Sequence, residues 1–133
     1  MVLQRAPKNA VLWGWDTPGA KIIITINKKP SAAEGQLQTT GDNTGVVVVA
    51  AADGSWSAQL QPQLAAIGVE ISFVSSKGGS TTLSNVAFGD VLFCAGQSHM
   101  TFSVNQDMNA KATIAASKQY PGIRMLTVDT ASR

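Results

Sequence analysis

Short runs of hydrophobic residues, many of them alternating with polar ones, follow one another through the first two thirds of the chain. Lys21 to Ile26 is rich in β-branched residues, whose stiff side chains suit a pleated sheet. Val69, Ile71 and Phe73 alternate with polar residues, as in a strand with one buried face. Turn residues between such runs predict roughly six or seven strands from Ala10 to Phe88. This rhythm is typical of an antiparallel β-sandwich.

Local patterns make further predictions inside this segment. Val46 to Ala52 is a candidate strand, and Asp53 with Gly54 supplies a turn dipeptide that tolerates positive φ. We therefore expect a hairpin that joins this run to the strand Trp56 to Leu60, whose Trp, Ala and Leu side chains share one face. The polar stretch Asn27 to Asn43 predicts a loop that contains a weak strand.

The pattern changes after Gly89. Val91 to Ala95 is apolar at every position, which predicts a strand that is buried on both faces. Asn105 to Tyr120 has apolar residues three or four apart and predicts a helix that Asn105 caps. Ile123 to Val128 is a second candidate buried strand. Together these segments predict one βαβ unit.

The change of rhythm near Phe88 is the predicted domain boundary. Residues 1–88 are expected to form the β-sandwich domain, and residues 89–133 the first βαβ unit of an α/β domain. The two parallel strands of a single unit need further strands at their edges and helices on both faces. The predicted fold is therefore mainly β, with an α/β domain that is incomplete in this chain.

Composition and charge exclude several classes of function. With 133 residues, 44% of them hydrophobic and 14% charged, the chain is long enough to bury a core. Its net charge of +2 comes from scattered Lys and Arg residues, which argues against nucleic acid as a partner. The sequence shows neither metal-ligand spacing nor a phosphate loop, so no cofactor is expected. It also lacks both the run of about 20 apolar residues that spans a bilayer and the pattern of a signal peptide.

The segment Gly89 to Phe102 contains the strongest candidate for chemistry. Its apolar run stops at Gly96 and continues with Gln97, Ser98 and His99. Open α/β sheets hold reactive groups at the carboxyl ends of their strands, so Ser98 is a candidate nucleophile, and the alternative is an ordinary loop serine. Gln97 would bind an acyl or sugar group, or satisfy backbone groups in a tight turn. His99 would line the substrate pocket, or be a half-exposed loop residue.

A serine hydroxyl becomes a good nucleophile only when a neighbouring base accepts its proton. The single histidine of the chain, His99, directly follows Ser98, and the side chains of adjacent residues point in different directions. His99 is therefore a poor candidate for this base. The single cysteine, Cys94, lies inside the apolar run, which predicts a buried and inert thiol.

Five segments, together with the one around Ser98, resemble the sialate O-acetylesterase family in the same order along nearly the whole chain. They are Met1 to Arg5, Val11 to Trp15, Thr17 to Ala20, Ala52 to Trp56 and Tyr120 to Val128. The resemblance implies an SGNH-type, flavodoxin-like hydrolase that removes acetyl esters from sialic acids or related acetylated sugars, with Ser98 as its nucleophile. His99 departs from the family pattern, which usually has Asn at this position.

The same resemblance implies what else such an enzyme requires. In the family, the catalytic Asp and His lie near the end of the hydrolase domain. We therefore expect this chain to be the N-terminal portion of a longer enzyme, inactive alone, with the remainder of the hydrolase domain as its partner. Family members are typically secreted, lysosomal or periplasmic.

A second hypothesis assigns the chain no chemistry. In that case it is a β-sandwich module that binds protein or sugar, and the segment around Ser98 has no catalytic role. Trp13, Trp15 and Trp56 are then candidates for an aromatic platform under a sugar. Tryptophans at alternating strand positions usually belong to a sandwich core, and that interpretation suits Trp13 and Trp15 better.

Overall fold

Strands dominate the structure, a computed structural model that describes residues 1–27 and 45–127. The chain divides into two compact units, Met1–Val91 and Leu92–Arg133. The strands of the described residues all lie in the first unit. They are β1 (Val2–Gln4), β2 (Val11–Trp15), β3 (Lys21–Asn27), β4 (Val46–Val49), β5 (Ser55–Gln59), β6 (Ala66–Ser75) and β7 (Ser80–Gly89). The predicted mainly β character is confirmed, whereas most of the predicted loop Asn27 to Asn43 lies outside the described residues.

The strands form two sheets. The larger has the order β1-β7-β6-β3-β4, and the smaller consists of β2 and β5. All neighbouring strands are antiparallel except β1 and β7, which pair in parallel with Val2 opposite Ala87. The long strands β6 and β7 are joined by a tight turn that contains Gly78 and Gly79, both at positive φ.

One core receives side chains from both sheets. Leu12 of β2 and Ala58 of β5 lie opposite each other and are both buried in it. The buried strand residues of this core are Leu3, Leu12, Ile22, Ile24, Ala58, Val69, Ile71, Val86 and Phe88. Burying each Val, Leu or Ile stabilises the fold by about 1.5–3 kcal/mol. The predicted shared face of β6 is confirmed, because Val69 and Ile71 are buried and Phe73 packs against them.

The turn at Asp53 and Gly54 forms, but it does not close a hairpin. Gly54 has a φ of +82°, and its N–H donates a hydrogen bond to the Ala51 carbonyl at 2.9 Å. The Asp53 carboxylate accepts hydrogen bonds from both the N–H and the hydroxyl of Ser55. Strand β4 pairs with β3, however, and β5 pairs with β2. The predicted pairing was wrong because turn residues fix local φ and ψ, not the partners of the flanking strands.

Trp13 and Trp15 do not belong to the core, so this prediction is corrected. Their side chains are 68% and 71% exposed. Because successive side chains of a strand point to opposite faces, burial of Leu12 turns both tryptophans to the other face of β2. Trp56 is half-buried and packs against the core, as its strand pattern predicted. Its ring lies over Gly14, where an added Cβ would come within 2.8 Å of it.

The second unit consists of short helical segments. Two 3₁₀ turns, Ser98–Thr101 and Val104–Gln106, precede the helix α1 (Ala110–Ser117). The helix begins at Ala110 with Asn109 at its N-cap position, not at Asn105 as predicted, because the earlier residues form the second 3₁₀ turn. No helix in the described part of the chain is both long and apolar enough to cross a membrane.

The two predicted buried strands of this unit are not formed among residues 92–127. Leu92 and Phe93 are 84% and 91% exposed, and Cys94 is exposed, so its predicted burial was wrong. A strand that is buried on both faces takes its hydrogen bonds and its burial from neighbouring strands. Residues 92–127 contain no strand that supplies either. The apolar pattern therefore identifies segments suited to burial without fixing their structure here.

Candidate active site

Ser98 is the first residue of a 3₁₀ turn that follows the irregular segment 92–97. The N–H of Met100 donates a hydrogen bond to the Gln97 carbonyl at 2.9 Å, and the N–H of Phe102 donates one to the His99 carbonyl at 3.1 Å. Gln97, Ser98 and His99 are all exposed. The structure therefore brings the three predicted site residues together on one turn at the surface of the second unit.

Gly96 shapes the entry to this turn. A Cβ at this position would lie 2.6 Å from Cγ and 3.3 Å from Sδ of Met100. The absence of a side chain at Gly96 thus lets the Met100 side chain fold back against the backbone immediately before Ser98. A side chain at position 96 would therefore require the Met100 side chain to move.

Asp90 and Val91, at the start of the segment Gly89 to Phe102, are held by side chains that the sequence pattern did not identify. Arg5 Nε and Nη2 donate hydrogen bonds to the two carboxylate oxygens of Asp90, at 2.8 and 3.1 Å. The N–H of Val91 donates to Gln4 Oε1 at 3.3 Å. Both partners lie at the end of β1, which pairs in parallel with β7. Gln4 and Arg5 belong to Met1 to Arg5, one of the segments that resemble the family, and this is the sequence feature that could have identified them.

The ion pair shifts the pKa values of both of its members. The hydrogen bond from Arg5 holds the pKa of Asp90 below its ordinary value, and the same hydrogen bond together with the charge of Asp90 raises the pKa of Arg5. Both side chains are substantially exposed, at 45% and 63%. Solvent and salt therefore screen this pair, and its main effect is to fix where the chain leaves β7.

Three kinds of polar group lie on this turn. Ser98 offers a hydroxyl and a backbone N–H, Gln97 an amide and His99 an imidazole. The imidazole belongs to the residue that directly follows Ser98. In residues 1–27 and 45–127, no three His, Cys, Asp or Glu side chains come close enough together to hold a metal ion.

Comparisons with known proteins place this arrangement in context. No model of a known protein family matches the chain. The sialate O-acetylesterases of Mus musculus and Homo sapiens are 30% and 31% identical to it over 131 residues. These alignments cover 96% of this chain but 23% of each relative.

A solved structure shows the same relationship in three dimensions. The carbohydrate acetylesterase from Xanthomonas citri matches the chain with a TM-score of 0.67 and 25% identity. That match covers 87% of this chain and 23% of the other. Nearly the whole chain therefore aligns with sialate O-acetylesterases, but it spans less than a quarter of their length. The resemblance that its motifs predicted is confirmed.

Proposed function

We propose that this chain is part of a serine carbohydrate esterase that removes O-acetyl groups from sialic acids or related acetylated sugars. The observation that carries the proposal is the similarity to two sialate O-acetylesterases along 96% of the chain, which spans the Ser98 segment. The fold similarity to a carbohydrate acetylesterase supports it independently. The same resemblance favours a secreted, lysosomal or periplasmic protein.

In the proposed reaction, Ser98 Oγ attacks the carbonyl carbon of the acetyl ester while a general base accepts the hydroxyl proton. The resulting oxyanion needs hydrogen-bond donors, of which the Ser98 backbone N–H is the local one. Collapse of this intermediate breaks the bond to the sugar oxygen, which takes up the proton and leaves as a hydroxyl. Water then attacks the acetyl-serine and releases acetate. Gln97 and His99 are proposed to contact the sugar or the acyl group.

The proposed base and the carboxylate that orients it come from outside these 133 residues. His99 is the single histidine of the sequence, and it is the neighbour of Ser98. Its backbone carbonyl is held in the 3₁₀ turn by the N–H of Phe102. Because the side chains of adjacent residues point in different directions, we propose that this imidazole is not the base for Ser98. We therefore propose that the 133-residue chain is inactive by itself.

The exposed apolar residues of the second unit support a larger hydrolase domain. Leu92 and Phe93 are 84% and 91% exposed, and Met125 and Leu126 are 92% and 90% exposed. Neighbouring apolar side chains that are exposed to this extent fit a surface that another segment covers. We propose a β-sandwich domain at residues 1–88, and that residues 89–133 begin an SGNH-like α/β domain whose further strands bury these side chains.

Hydrolysis of 4-nitrophenyl acetate and of O-acetylated sialic acid by the longer protein tests the proposal. Removing a catalytic nucleophile costs at least about 10³-fold in kcat, so Ser98→Ala is expected to abolish measurable turnover without changing the thermal unfolding midpoint. Ser57→Ala, at an exposed serine of β5, is the matched control and should retain full activity. Unchanged kcat in Ser98→Ala would refute the role of Ser98.

The same assay on the 133-residue chain tests the second part of the proposal. We expect no turnover above the uncatalysed rate, because this chain lacks the base. Turnover that disappears in Ser98→Ala would support the nucleophile but show that a base is present within the chain.

A further inference from the structure

The first unit carries two large aromatic side chains where a strand would ordinarily carry polar ones. Trp13 and Trp15 lie on the outer face of β2, with ring centroids 5.3 Å apart and ring planes at 90°. This edge-to-face contact fixes each ring against the other and leaves most of both surfaces open to solvent. Exposing so much aromatic surface costs free energy, so a ligand that covers it would bind favourably.

The two tryptophans border a cleft of about 430 Å³ that lies wholly within the first unit. This volume lies within the range of about 300–1,000 Å³ that is usual for small-molecule sites. Trp56 and Phe73 form a second aromatic pair in its wall, with ring centroids 5.8 Å apart. Gly78 and Gly79 of the β6–β7 turn also border the cleft, and no side chain projects into it from these two positions.

Polar groups are interleaved with these rings. Asp16, Ser75, Ser80 and Thr81 border the cleft, and their side chains carry a carboxylate and three hydroxyls. One carboxylate oxygen of Asp16 accepts a hydrogen bond from the Thr17 N–H at 2.6 Å, and a carboxylate has acceptor sites for several more. Flat aromatic faces beside hydroxyl and carboxylate groups match a pyranose ring, which has apolar C–H faces and a rim of hydroxyls.

Charge decides which pyranose fits. Asp16 is the one charged residue that borders the cleft among the described residues, and no Lys or Arg accompanies it. A buried carboxylate of the ligand would meet this charge without a counter-ion, which costs free energy. A neutral sugar would instead donate its hydroxyl hydrogens to the carboxylate, and hydrogen bonds to an ionised acceptor are the stronger kind.

We propose that this cleft is a binding site for a neutral pyranose of a glycan, built from residues within 13–22 and 56–83 of the first unit. Trp13 and Trp15 supply the stacking surface, and Asp16 accepts hydrogen bonds from the sugar hydroxyls. The site is independent of Ser98 and of the proposed esterase reaction. It would let the first unit hold an acetylated glycan through a sugar that carries no charge.

Titration of the 133-residue chain with methyl β-D-galactopyranoside, lactose and cellobiose tests the proposal. Calorimetry and tryptophan fluorescence measure the binding. We expect at least one of these sugars to bind with a Kd of the order of 1 mM. Removing a tryptophan from the centre of a contact raises Kd by about ten-fold or more, so Trp13→Ala and Trp15→Ala should each weaken binding by that factor. Tyr120→Ala, at an exposed aromatic residue of the other unit, should leave Kd unchanged.

Two further variants keep the test decisive if a tryptophan variant unfolds. Thr81→Arg, at an exposed position of β7, should block the cleft and abolish binding while the far-ultraviolet circular dichroism stays unchanged. Asp16→Asn keeps the acceptor for Thr17 and removes the charge, so binding of N-acetylneuraminic acid, weak in the unsubstituted chain, should strengthen.

Three results would overturn the proposal. The first is that none of the three neutral sugars binds, and the second is that both tryptophan variants bind as well as the unsubstituted chain. The third is self-association of the chain in sedimentation experiments that Trp15→Ala abolishes, since the cleft would then be a protein contact.

Discussion

Gly54 and Gly19 occupy the same left-handed region of the backbone, with φ of +82° and +74°, but their surroundings differ. A Cβ on Gly54 would lie 2.6 Å from the carbonyl oxygen of Asp16, whereas a Cβ on Gly19 would meet no atom of the described residues within 4 Å. The N–H of Asp16 also donates a hydrogen bond to the Gly54 carbonyl at 2.9 Å. Gly54 therefore has both a conformational and a steric reason to be glycine, and Gly19 has the first alone.

Alanine substitutions separate these two reasons. A left-handed conformation costs a residue with a Cβ about 1–2 kcal/mol, so Gly19→Ala should lower the free energy of unfolding by about 1 kcal/mol. Gly54→Ala should lower it by about 2–4 kcal/mol, because the backbone must also move away from Asp16. Urea denaturation of both variants measures the difference. Equal losses would show that the contact with Asp16 relaxes freely.

Single residues also show where sequence reasoning fails. Alternation along β2 correctly implies that Trp13 and Trp15 share a face, but it does not say which face is buried. The two large aromatic side chains favour burial of their own face, but the structure instead buries the face that carries Leu12. The burial of a strand face is decided by the sheet that packs against it, which is not local information.

At the scale of elements, strand positions were predictable and strand partners were not. β3, β6 and β7 are long enough for their β-branched and alternating residues to define them. β4 pairs with β3, β5 pairs with β2, and β1 pairs in parallel with β7. These pairings depend on contacts between residues far apart in the chain. Short β1 carries a weak pattern of its own and is fixed in part by the contact between Arg5 and Asp90.

The pH dependence of unfolding tests that contact. The pKa of Asp90 is lower in the folded protein than in the unfolded chain. The ionised carboxylate therefore stabilises the fold at pH values above the ordinary pKa of an Asp side chain. The contribution is lost as the pH falls through the folded-state pKa. Asp90→Asn should therefore be less stable than the unsubstituted chain at neutral pH, and the difference should vanish in acid and shrink in high salt.

Arg5→Gln, which removes the other member of the ion pair, is the matched variant for this measurement. It should reproduce the pH-dependent loss of the Asp90 variant. A difference between Asp90→Asn and the unsubstituted chain that stays constant from neutral pH into acid would contradict the role of the ion pair.

At the scale of the whole molecule, the two units differ in how far their sequences determine their structures. The first unit contains both the strands and the partners that bury them, so its pattern predicts where most of its strands lie. The second unit has apolar runs typical of buried strands, but residues 92–127 contain no strand to pair with them, and the side chains of these runs are exposed. The position of Ser98 after an apolar run ending in Gly96 was nonetheless visible in the sequence, since it depends on local residues.

Covalent labelling of the longer protein with a fluorophosphonate tests the central claim most directly, because this reagent reacts with activated serines and the modified residue is identified by mass spectrometry. The proposed function predicts that the label lies on Ser98, that acetylated sialic acid protects against labelling, and that Ser98→Ala remains unlabelled. A label on a different serine, with esterase activity retained in Ser98→Ala, would contradict it.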